Sequence, residues 1–263
     1  MMIYKDIILE KQDGIATITL NRPSILNALS TNLCKEISHA FPVLDTDNDI
    51  RVVILTGSGK AFCAGGDLES MLKAIQSPPT PEDDFLDAIQ NCFNSITNFS
   101  KPIIAALNGT TCAGGIELTL ASDIVLAAKS AMIGDAHANF SVFPGGGSAV
   151  RLPRKIPINA ANYLLFSGEF VSAQQMKEWG LVLEVVPDNE LMASAMKLAK
   201  KLSNKSPLWA KRIKTIIRQG TDMPLESALN AEYNMFIRHG KSYDMLEGMK
   251  AFSEKRKPEF EGY

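Results

Sequence analysis

The tetrapeptide Cys-Ala-Gly-Gly occurs twice in this 263-residue chain, as Cys63-Ala64-Gly65-Gly66 and as Cys112-Ala113-Gly114-Gly115. Each copy follows an apolar strand, residues 52–56 or 103–107, through a loop, and each precedes a helix start. Strand, glycine turn and helix, used twice in that order, indicate stacked β and α units that present two similar backbone corners. Such corners suit a negative charge. Glycine lets the backbone approach a bound group, and the first N–H groups of a helix have no partner inside it, so they point outward at the positive end of its dipole. Glu117, in the first turn after the second corner, reads either as an acid placed at a site or as a helix-start residue favoured by the same dipole. The stretch by itself leaves both open.

Composition narrows the classes. With 46% hydrophobic and 21% charged residues the chain is globular, and 27 basic against 29 acidic side chains give no overall pull toward nucleic acid or an anionic membrane. The opening MMIYKDIILEKQDG places charges at Lys5, Asp6, Glu10 and Lys11, so it lacks the apolar core of a signal peptide, and no run is long enough to span a bilayer. The cytoplasm is the expected address. Cys34, Cys63, Cys92 and Cys112 show neither zinc-site pairs nor disulfide density and are expected to be free thiols. Cys112 beside the glycine loop is weighed as a nucleophile against the commoner small buried cysteine.

Along the chain, residues 7–10 and 15–20 read as a hairpin, and Ser30 caps a helix that Pro42 is expected to kink or shorten. The segment Ser77-Pro78-Pro79-Thr80-Pro81 reads as a mobile loop before a helix opened by Glu82-Asp83-Asp84. Residues 124–127 and 132–134 read as strands. Asp135-Ala136-His137 and the glycine turn Pro144-Gly145-Gly146-Gly147 come next, with His137 either bonded to a neighbouring carbonyl or functional. Ser172-Ala173-Gln174-Gln175 is a capping box, residues 181–186 are strand-like, and helices are expected over 191–202, 207–218, 225–238 and 243–254. Two nucleotide motifs fail: Ile54 and Ala61 stand where a phosphate loop needs Gly and Ser or Thr, and Phe62 replaces the third glycine of a dinucleotide fingerprint.

The motifs LNRPSILNAL, KAFCAGGDL, KPIIAALNGTTCAGGIELTLASD, PGGGSAVRL and AFSEKRKPEF together resemble the enoyl-CoA hydratase/isomerase, or crotonase, family over essentially the whole length. The resemblance implies an α/β fold, the crotonase (ClpP-like) spiral of ββα units, with residues 1–200 as the core that holds the CoA and oxyanion site. It implies residues 201–263 as a C-terminal helical region for oligomerisation, as homotrimer or hexamer, and for CoA contact. It implies an acyl-CoA substrate, no tightly bound cofactor, no membrane or nucleic-acid partner, and a thioester oxygen held by the backbone N–H groups of Ala64 and Gly114. CoA contacts then fall on Phe62, Ala64, Gly66, Asp67, Phe252 and Lys255, with Arg256 and Lys257 left as solvated tail residues. Glu117 matches one of the two family glutamates, and His137 stands where the second belongs. Ser24 replaces a common Lys near the CoA phosphates, and Ala113 replaces the first glycine of a three-glycine run. The implied reaction is hydration of a 2-enoyl-CoA with Glu117 as acid/base and His137 assisting. Its rivals are isomerisation, carbon–carbon cleavage, and a catalytically quiet CoA-binding or RNA-binding homologue. Met71, Leu72, Phe85, Phe140 and Phe143 are candidates for an acyl pocket or for core.

Overall fold

The computed structural model describes residues 3–77 and 84–263, so the Pro78 to Pro81 loop lies outside the described residues. β1 (Ile7–Gln12) and β2 (Ile15–Leu20) form the expected hairpin, joined by Asp13 and Gly14 at φ 51° and 78°. Two left-handed residues give the tight turn whose twist matches that of its strands. α1 (Thr31–Thr46) is capped by the Ser30 hydroxyl, which accepts from Leu33 N–H at 3.1 Å. Pro42 does not shorten this helix. It runs on to Thr46, with Phe41 and Leu44 buried on either side of the proline and the Thr46 hydroxyl donating back to Pro42 O at 3.3 Å and Val43 O at 3.1 Å.

Three successive passages then repeat one unit, a strand in a large sheet, a short strand in a small sheet, and a helix. The first is β3 (Val52–Gly57), β4 (Ala61–Cys63) and α2 (Leu68–Gln76), with α3 (Phe85–Asn98) added. The second is β5 (Ile103–Leu107), β6 (Thr110–Cys112) and α4 (Gly114–Ala121). The third is β7 (Ile124–Ala128), β8 (Met132–Gly134), a 3-10 turn at His137–Phe140, and α5 (Ser148–Lys155). This is the spiral of ββα units. The remainder is α6 (Ile158–Ser167), β9 (Phe170–Ser172), α7 (Ala173–Glu178), β10 (Glu184–Val186), α8 (Leu191–Ser203), α9 (Pro207–Gly220), α10 (Leu225–His239) and α11 (Tyr243–Ser253).

The large sheet has the order β1-β2-β3-β5-β7-β10 and is parallel from β2 onward. Its central strands, β3 and β5, are buried along their whole length, which is why they read as continuous apolar runs instead of alternating ones. The small sheet has the order β4-β6-β8-β9, with only β9 antiparallel. Residues 61–63 and 110–112, read from sequence as loop, are therefore strands, and they decide where the two glycine corners lie.

A buried ion pair helps tie the C-terminal helices to this core. Lys214 on α9 donates to Asp123 Oδ2 at 2.6 Å and to Lys101 O at 2.8 Å, and the same Asp123 oxygen accepts from Ile103 N–H at 2.8 Å. Burial pushes the Lys214 ammonium down to about 8, against the attraction of Asp123. No helix among the described residues is long and apolar enough to cross a membrane.

Candidate active site

β4 and β6 pair in parallel, Ala61 with Thr110 and Cys63 with Thr111, so the two Cys-Ala-Gly-Gly segments leave neighbouring strands side by side. They pack directly on one another. The Cys112 thiol donates to Ala64 O at 3.2 Å, and a Cβ on Gly65 would lie 2.7 Å from the Ala113 Cβ and 3.5 Å from Gly114 N. A Cβ on Gly115 would lie 2.1 Å from Cys63 O, so only glycine lets α4 start against the end of β4.

The backbone donors of these corners are used unequally. Ala64 N–H donates to Leu26 O at 3.0 Å, and Ala113 N–H donates to Asp135 O at 2.8 Å. The alanine of each copy is thus anchored to a neighbouring segment. Leu29 bridges the first corner in parallel, its N–H donating to Gly65 O at 2.7 Å and its carbonyl accepting from Asp67 N–H at 2.9 Å. That pairing leaves Gly66 N–H with no acceptor among the described residues. Gly114 N–H, at the first position of α4, likewise has none. The expectation of an oxyanion donor at Ala64 is corrected, because that N–H is spent on Leu26; Gly66 and Gly114 are among the unspent donors at the two corners. Gly66 entered the sequence reading only as a CoA contact. The signal that could have found it is Asp67, whose capping of Ser70 N–H at 3.3 Å delays α2 to Leu68.

Glu117 stands one turn into α4, buried, with Oε1 accepting from Gly146 N–H at 2.7 Å and Ser148 N–H at 3.1 Å. The glycine turn can reach it because Gly146 packs against Phe93, where a Cβ would come within 2.3 Å of the ring. Ser148 opens α5, so the positive end of a second helix also faces this carboxylate. The other oxygen, Oε2, faces His137 Nε2 at 3.9 Å. The far side of the ring, Nδ1, is 3.0 Å from Asp135 Oδ1, and Asp135 Oδ2 accepts from the Ser148 hydroxyl at 2.6 Å.

Burial raises the Glu117 carboxyl above the usual carboxylate range, against the charge of His137 and the two N–H donors. Burial alone would lower His137. The hydrogen bond and charge of Asp135, with the charge of Glu117, outweigh it and hold the imidazole above its ordinary value. A carboxyl group and an imidazole that face each other, each holding its proton more tightly than usual, are suited to acid/base work on one substrate.

The remaining predicted residues scatter. Phe62 is wholly buried, so its ring belongs to the core and only its backbone can face a ligand. The Asp67 carboxylate is engaged as a cap and stands 3.5 Å from Arg22. Phe252 is 88% exposed, and Lys255, at φ 58°, bonds back through its N–H to Phe252 O at 3.3 Å; both face outward at the end of α11. Arg256 is no solvated tail residue, since it makes a bidentate pair with Glu247 at 2.6 and 2.7 Å. All four cysteines are free and buried, and burial pushes the Cys112 thiol up to about 11, which leaves it protonated near neutrality. Met71 and Phe85 flank Gly66, whereas Leu72, Phe140 and Phe143 are exposed.

The enoyl-CoA hydratase/isomerase family model matches residues 10–263. The chain is 39% identical to the enoyl-CoA hydratase EchA19 of Mycobacterium tuberculosis, over 97% of this chain and 96% of that protein. It is 34% identical to the crotonyl-CoA hydratase of Syntrophomonas wolfei, over 98% and 99%. The crystal structure of the enoyl-CoA hydratase from Bacillus anthracis superposes with a TM-score of 0.91 at 35% identity, covering 98% of this chain and all of that one. On the match of the family model and of these relatives over nearly the full length, the chain belongs to the enoyl-CoA hydratase/isomerase family.

Proposed function

We propose that this chain hydrates 2-enoyl-CoA thioesters. The observation that carries the reading is that Gly114 and Glu117 share the first turn of α4, with Gly65, the residue before Gly66, packed against Ala113 and Gly114. One short helix thereby sets an open backbone donor and a buried acid at a fixed spacing. In this reading the thioester oxygen lies between the N–H groups of Gly66 and Gly114. As the enolate charge develops there, each preorganised donor lowers the barrier by about 2.7–4 kcal/mol. Glu117 takes the proton of the attacking water, and His137 supplies the proton to the α carbon. The hydratases among the relatives support the choice of reaction. The CoA portion reaches the Phe62, Gly66 and Asp67 backbone. Phe252 and Lys255 contribute from a neighbouring copy in a homotrimer or hexamer, for which Tyr233, Phe236, Leu246 and Met249 supply exposed apolar surface on α10 and α11.

A mass-resolved turnover assay of the wild type, Glu117→Gln and His137→Ala on short, long and aromatic 2-enoyl-CoA and 3-enoyl-CoA thioesters tests this. Addition of water by the wild type, falling about 10²- to 10⁴-fold in Glu117→Gln, is expected. Double-bond migration without addition of water would replace hydration by isomerisation, which the same acid/imidazole pair can perform by moving one proton between two carbons. Binding without turnover of any thioester would sink both.

A further inference from the structure

His137 does not face Glu117 as a free imidazole. Its ring is gripped from behind by Asp135, and that carboxylate is held in turn by Ser148, at 3.0 and 2.6 Å. Ser148 closes the circuit, since its N–H donates to Glu117 at 3.1 Å while its hydroxyl donates to Asp135. The Asp135 carbonyl also accepts from Ala113 N–H, so one residue braces the imidazole and the turn that presents Gly114. A carboxylate is an acceptor only, which requires the proton on Nδ1 and directs Nε2 at Glu117. The groups around the ring are Glu117 from α4, Asp135 from the exit of β8, and Ser148 from α5. Cys112 lies near Asp135, and Arg151 acts on Glu117 from α5.

We infer that Asp135 is a positioning residue that holds His137 in the Nδ1–H form and serves as counter-ion to its imidazolium, making Nε2–H the proton donor opposite Glu117. This inference rests on the hydratase reading. The starting pair is a Glu117 carboxylate and a His137 imidazolium. Water bonds to the β carbon and gives one proton to Glu117; the C=C electron pair moves to the α carbon, which takes the proton from Nε2. What remains is a neutral Glu117 and a neutral imidazole, and the proton returns from Oε2 to Nε2 to restore the pair. The balance needs no further reactant. Because the donor form is the charged imidazole, turnover falls as pH rises through the His137 titration, which Asp135 shifts upward.

The test is a titration of the imidazole nitrogens by NMR in the full chain, in the wild type, Asp135→Asn and Ser148→Ala. His137→Gln assigns its signals apart from His39 and His239. The wild type is expected to show Nδ1–H and a titration above the ordinary value. In Asp135→Asn it should move about one pH unit lower, and kcat/KM should drop about 10- to 100-fold with its high-pH fall moved the same way. Ser148→Ala, which leaves the N–H on Glu117 in place, should move it in the same direction by less, and it decides the question if Asp135→Asn does not fold. A His137 titration unchanged in these variants, or pH profiles that superimpose after scaling, would overturn the assignment. A chain that shows the NMR shift but turns over no enoyl thioester loses the hydratase reading and keeps Asp135 as the partner of His137.

Discussion

The two Cys-Ala-Gly-Gly corners have the same letters, leave neighbouring strands, and finish as different backbones. At the first, Gly65 takes φ 106°, the chain stays extended against Leu29, and α2 waits for the Asp67 cap. At the second, Ala113 turns at φ 48° and ψ −117°, and α4 begins at the next residue. An unspent N–H sits on the fourth letter of the first copy, Gly66, and another on the third letter of the second, Gly114. What the copies share is the anchored alanine, Ala64 on Leu26 and Ala113 on Asp135. Identical sequence sets where each corner is fastened, whereas the neighbouring segment sets which donor is left over.

Substitutions that move one corner toward the other should break this arrangement. Gly65→Ala combines a left-handed backbone with a Cβ 2.7 Å from that of Ala113, and should destabilise the protein by about 2–4 kcal/mol in urea unfolding. Ala113→Gly should act in the opposite sense. It relaxes a conformation that only glycine adopts freely, worth about 1 kcal/mol, and in the Gly65→Ala background it should recover part of the loss by removing the facing methyl. Additive effects in that cycle would show that the corners do not press on each other. Asp67→Ala should cost a similar amount, about 1 kcal/mol, by uncapping α2; an unchanged midpoint would mean that the cap does not set where that helix starts.

The parts of the molecule legible in the sequence are those with a long period or a local cap. The strands at 52–56 and 103–107 announce themselves as continuous apolar runs, and Ser30 and Ser172 each cap the helix that follows. Three-residue strands such as β4, β6 and β9 are too short to show alternation. Asp67 marks the delayed helix start beside Gly66, but that the Gly66 N–H stays open depends on Leu29, a contact with a segment remote in sequence. Glu117 and His137 were legible as chemistry. The return of Ser148 onto Glu117 and Asp135 was not, because it depends on how the glycine turn folds back over Phe93.

The most direct test replaces single backbone N–H groups by ester oxygens, using glycolic acid at position 66 or 114 and lactic acid at position 64. The ester at 66 and the ester at 114 should each lower kcat on a 2-enoyl-CoA substrate by about 10²- to 10³-fold. The ester at 64 should chiefly cost stability, about 1 kcal/mol for the lost bond to Leu26. Turnover that survives the ester at 66 and collapses with the ester at 64 would contradict the account and return the donor to Ala64.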